Sequence, residues 1–231
     1  MKLFKWLIGL LLLPACAAVS LTVWALLDRL TGGGLHGLSF SVWGLLIGFG
    51  LWLILYFVLP RPMRTYVLAH ELTHALWGWV MGARIVGMKV TAAGGHVQLT
   101  RSNFLITLAP YFFPLYTMLI IGLHAVLSLF FDLRHYEPVW MGWIGLTWGF
   151  HVTFTLSMLR IGQSDIREHG ALFSYAVIYL FNILGVAWWI VSITDIAWPD
   201  WVLQSRADLT ASYATVWHYG HQLYAQASGW W

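Results

Sequence analysis

Charge is what this chain has least of. Asp, Glu, Lys and Arg together make up 9% of its 231 residues, and 60% are hydrophobic, whereas about a quarter of an ordinary soluble domain is charged. Water therefore cannot be the solvent for most of the surface, and an integral membrane protein is expected. Cysteine is nearly absent as well: Cys16 stands alone, which excludes an internal disulfide and any cysteine-rich metal site. The twelve basic residues give a net charge of +3 but are scattered singly, with no stripe of the kind that grips phosphates, so no nucleic-acid partner is expected. Repeats and low-complexity tracts are missing too, and once the long apolar runs are set aside nothing remains to build a second core.

What the chain does have is length in its apolar runs. A helix needs about 20 apolar residues to cross a bilayer, and six segments qualify: roughly 3–27, 40–59, 63–82, 104–131, 139–161 and 171–193. The first resembles a signal peptide with a lipoprotein-like box at Leu13-Pro14-Ala15-Cys16, but the apolar character runs on through Leu27, so a retained transmembrane helix is expected. The fourth contains Pro110 and Pro114, which predicts a kink or a partly re-entrant start. Between the third and fourth, Arg84–Val90 and His96–Thr100 alternate around Thr91-Ala92-Ala93-Gly94-Gly95, a hairpin signal. Gly32-Gly33-Gly34 marks a short connection after the first segment. After Pro199, Leu209, Tyr213, Val216, Leu223 and Tyr224 recur at helical spacing, with Trp201, Trp217, Trp230 and Trp231 added, which predicts an amphipathic helix in the membrane interface. The expected fold is an all-α, six-helix membrane domain over 1–199, a small hairpin after its third helix, and an interfacial tail over 200–231. The basic residues divide evenly between alternate connections, so charge does not fix the orientation.

One pentapeptide carries chemistry: His70-Glu71-Leu72-Thr73-His74, inside an apolar stretch. Positions four apart on a helix face the same way, so both imidazoles can share one Zn²⁺, with Glu71 beside them as general base toward a water. The alternative, two hydrogen-bonded histidines in a helix bundle, is weakened by Glu71, because an ionisable group at membrane depth costs several kcal/mol unless it has a partner or a task.

A catalytic zinc usually takes three protein ligands, so a third must come from elsewhere. Asp165, in Gly162-Gln163-Ser164-Asp165-Ile166-Arg167-Glu168-His169-Gly170, is the first candidate, because in a six-span arrangement this connection emerges on the side where the histidine-bearing helix ends. Capping of the sixth helix is its alternative role. Glu168, His169 and His151 are its rivals. Asn182, mid-way along the sixth segment, is either an oxyanion or substrate-backbone donor or an interhelical hydrogen bonder. Gly94 and Gly95 either let a substrate approach closely or simply make the turn.

Together these residues resemble the site-2 protease family of intramembrane zinc metalloproteases. The likeness rests on the His70–His74 motif, Gly94-Gly95-His96, the proline-containing run Leu108–Pro114 and the later Asp165, and it covers about residues 63–193. It is to a compact form without a PDZ domain, and Ile166 follows Asp165 where that family usually has Gly. The resemblance implies His70, His74 and Asp165 as zinc ligands, Glu71 as general base, and hydrolysis of peptide bonds in membrane-embedded or membrane-proximal proteins. An edge of the hairpin would then hold an unwound substrate by strand addition. The expected location is the bilayer, taken as a bacterial inner membrane. A non-proteolytic relative or transporter subunit that binds client helices is the competing expectation.

Overall fold

The computed structural model describes residues 2–31, 38–194 and 196–228; Gly32-Gly33-Gly34, Trp230 and Trp231 lie outside them. The chain is mostly helical and forms two compact units, one made of Met1–Leu35 with His169–Trp231, the other of His36–Glu168. Its helices are α1 (Lys2–Thr31), α2 (Phe40–Val58), α3 (Met63–Val80), α4 (Phe104–Leu108), α5 (Leu115–Leu127), α6 (Glu137–Ile161), α7 (Ser164–His169), α8 (Ala171–Ser192) and α9 (Trp198–Ser228). Strands β1 (Ile85–Thr91) and β2 (Gly94–Leu99) lie between α3 and α4.

Among the described residues, three helices are long and apolar enough to cross a membrane: Lys2–Arg29 of α1, all of α2, and all of α8. A fourth follows if Phe104–Tyr111 and Leu115–Leu127, bent by 82°, count as one span. The bend falls where the sequence predicts it. Proline has no N–H to continue a helical ladder, so the α4 segment closes as a tight turn over Ala109–Tyr111 and α5 begins only after Pro114. Helices α3 and α6 form where two further spans are expected but are not among these candidates; α3 carries Arg64, His70, Glu71 and His74.

In the unit His36–Glu168, α2 opens at Ser39, whose side chain accepts from the Val42 N–H, the usual way to satisfy an orphan donor of the first turn. It then runs along α6 on a seam of glycines. A Cβ added to Gly48 would stand 1.9 Å from the Gly142 carbonyl oxygen, and one added to Gly145 would stand 2.0 Å from that of Leu45. The two backbones touch directly, as small residues allow. Beyond the seam the Trp52 indole donates to Thr153 at 2.9 Å.

The chain leaves α3 through Gly82, held at φ 76°, where only glycine is at ease. Strands β1 and β2 pair antiparallel, with Thr91 opposite Gly94, so Ala92-Ala93 is the turn. Alternation puts Gly95, Val97 and Leu99 on one face, and that face lies on α3: a Cβ on Gly95 would meet Val67 and Glu71, and one on Gly78 would meet Leu99. Helix α6 stops at Gly162, in the left-handed region at φ 71°, and α7 follows at once.

In the other unit, α1 and α8 bury Val23, Leu26, Ala187, Ile190 and Val191 together. The tail expected from Asp200 is α9, starting at Trp198. It is tied to α1 by the Thr22 hydroxyl, which donates to Asp208 at 2.7 Å, and by the Tyr213 hydroxyl, which donates to the Leu11 carbonyl at 2.7 Å.

Candidate metal centre

Helix α3 places His70 and His74 one turn apart, and their Nε2 atoms face each other at 3.2 Å. Asp165, in the first turn of α7, brings Oδ2 to 3.4 Å from His70 Nε2 and 3.7 Å from His74 Nε2. Among the described residues this is the group of three whose donor atoms, all within 4.8 Å of one another, could hold a metal ion. The separations suit a small tetrahedral ion, since bonds of about 2.0–2.1 Å put neighbouring donors about 3.3–3.4 Å apart. The side chains are mostly buried, at 13%, 12% and 20% exposure in the order His70, His74, Asp165.

The outward ring nitrogens are held too. The Ile106 carbonyl lies 2.8 Å from His74 Nδ1; a carbonyl only accepts, so Nδ1 carries the proton and the neutral ring offers Nε2 as a lone pair. Tyr66, one turn before His70, brings its hydroxyl to 3.3 Å from His70 Nδ1. Its ring is fixed by stacking on Phe154 at 4.8 Å. The buried Tyr111 hydroxyl donates to Asp165 Oδ2 at 2.9 Å. Burial alone would raise the Asp165 carboxyl, but hydrogen bonds and charge from the His70 and His74 rings in their protonated form overcome this and hold it well below the usual carboxylate range.

Glu71 is 5% exposed and lies under the hairpin, with Gly95 against its Cγ. Above the group opens a cavity of about 640 Å³, whose wall includes His70, Glu71, His74 and Asp165, the hairpin from Ala92 to Leu99, and Ser102, Gln163, Ser164 and Glu168. All of its lining comes from the unit His36–Glu168.

The structure thus brings together His70, Glu71, His74, Asp165, Gly94 and Gly95. Glu168 borders the cavity without joining the donor group. His151 lines a separate pocket of about 20 Å³ behind His70. His169 belongs to the other unit and is hydrogen-bonded to Lys5. Asn182 is also in that unit, on α8, where its amide donates to the Ile178 carbonyl at 2.8 Å. Sequence reasoning missed Tyr66, Tyr111 and the Ile106 carbonyl. Tyr66 had a signal, since it precedes His70 by four residues on one helical face; the other two sit on the short Phe104–Tyr111 piece before the bend, whose packing against the site no local spacing reports. No protein-family model matches the chain, and neither a curated protein nor a solved structure matches it.

Proposed function

We propose that this chain is a multi-pass membrane protein with six spans that hydrolyses peptide bonds of membrane-embedded or membrane-proximal polypeptides with the help of a bound zinc ion. The observation that carries the reading is the convergence of His70, His74 and Asp165 at donor spacings that suit tetrahedral zinc, with Glu71 next to them under a cavity large enough for a peptide segment. When bound, zinc would acidify a coordinated water toward a pKa of about 7 and polarise a carbonyl.

The protein's own groups do the rest. His70, His74 and Asp165 hold the ion, with the Nδ1–H···O=C bond from His74 to Ile106 keeping that ring in its ligating tautomer. Glu71 takes the proton of the attacking water and returns it to the nitrogen of the breaking C–N bond, so a carboxylic acid and an amine leave. The hairpin wall of the cavity, Gly94 and Gly95 included, offers extended backbone against which an unwound substrate can lie.

Purified wild type should bind one zinc and cleave a membrane reporter. Glu71→Gln should keep the zinc and lose cleavage, and His70→Ala should lose both. Equal reporter fates in wild type and Glu71→Gln would favour a binding role without hydrolysis.

A further inference from the structure

The proline-broken segment that follows the hairpin supplies no metal donor, yet two of the three donors rest on it. Ile106, in α4, accepts from His74 Nδ1 at 2.8 Å, and Tyr111, five residues on, donates to Asp165 Oδ2 at 2.9 Å. The 82° bend falls only after Tyr111, so both contacts lie on the short Phe104–Tyr111 piece that precedes it, Ile106 in α4 and Tyr111 in the tight turn that closes it. We propose that this segment is the positioning platform of the metal centre and that Tyr111 sets how Asp165 presents its carboxylate; the proposal rests on reading the site as a zinc centre.

Tyr111 is 0% exposed, so it reaches no substrate and acts through Asp165. Its hydroxyl holds Oδ2, the same oxygen that faces both imidazoles, while Oδ1 is approached by the Ser164 hydroxyl at 3.4 Å. The phenol ring stands edge-on to His70, centroids 5.4 Å apart at 85°, so it cannot swing away without disturbing that ligand. With each oxygen held from its own side, the carboxylate offers one oxygen to the ion and a fourth position stays free for water or substrate. Without the phenol hydroxyl, the carboxylate can rotate and offer both oxygens, which closes that position and spreads the bond geometry. Outer hydrogen-bond partners of metal ligands are typically worth 10- to 100-fold in metal affinity or activity.

The test uses the full-length protein in detergent, stripped of metal, as wild type and Tyr111→Phe. Zinc affinity is read by competition with a chromophoric chelator, and geometry by the visible absorption of bound Co²⁺. The expected result is a zinc affinity about 10- to 100-fold weaker in Tyr111→Phe, with the intense tetrahedral Co²⁺ bands reduced toward those of a higher coordination number. Affinity within two-fold of wild type and an unchanged Co²⁺ spectrum would overturn the proposal. If Tyr111→Phe does not fold, fluorotyrosine at position 111 reports in its place: a ¹⁹F resonance that shifts on zinc addition supports the contact, and one that stays put overturns it. A folded wild type that takes up no zinc would instead remove the zinc centre itself, a result distinct from failure of the Tyr111 role alone.

Discussion

Gly95 lies against Glu71 so closely that a single methyl group on the glycine would stand 2.9 Å from the Glu71 Cγ, 2.8 Å from a Val67 methyl and 2.7 Å from the Lys89 carbonyl oxygen. Two of those neighbours are on α3 and the third is backbone of the partner strand, so the hairpin must lift for anything larger to fit. Gly95→Ala should therefore cost about 1–3 kcal/mol of stability, as overpacking does, and displace the strand above Glu71. Cleavage should fall at least ten-fold while zinc stoichiometry stays at wild-type level, because no metal donor moves. Chelator titration beside a reporter assay separates the two effects; equal loss of both would mean that the hairpin supports the donors as well.

The choice among acidic and imidazole candidates for the third ligand can be tested one residue at a time. Asp165→Asn should lower zinc affinity by two orders of magnitude or more, since the neutral amide is a poor ligand. Glu168→Gln, which changes the cavity wall but not the donor group, should leave affinity within two-fold. His169→Gln should do the same. Zinc loss in either of the last two, with Asp165→Asn intact, would redraw the site.

The contact of α2 with α6 predicts a contrast between two glycines only two residues apart on α2. Gly48→Ala pushes a methyl into the Gly142 carbonyl, whereas Gly50 has nothing within 4 Å of its would-be Cβ. The first substitution should lower the melting temperature in detergent by an amount corresponding to about 2 kcal/mol or more. The second should be neutral or stabilising by about 0.5–1 kcal/mol, the helix-propensity gain of Ala over Gly. Similar melting temperatures for both would mean that the helices can move apart.

The proposed six-span arrangement can be checked by labelling. In a Cys16→Ser background, single cysteines replacing exposed Arg101 and Arg167 should react with an impermeant maleimide from the same side of the membrane, and one replacing Asp132 from the opposite side. Labelling of positions 101 and 167 from opposite sides would break the arrangement that lets Asp165 meet the end of the α3 helix.

The parts that were legible in the sequence are those set by local periodicity. The pair His70 and His74 is readable because 3.6 residues per turn is a property of any helix, and the hairpin because strands alternate at two. Asp165 was readable as one of several possibilities, since the side on which a connection emerges follows from counting spans but the distance to α3 does not. Tyr111 was unreadable: a tyrosine between two prolines in an apolar run looks like an interface anchor, and its contact with Asp165 joins positions 54 residues apart that no local periodicity relates. The glycine seam was equally hidden, because Gly44, Gly48, Gly142, Gly145 and Gly149 look like ordinary membrane-helix glycines until the partner helix is known.

The cavity draws its whole wall from one uninterrupted stretch, His36–Glu168. A change in α1, α8 or α9 that leaves this stretch folded therefore replaces none of the residues that line the space around Glu71.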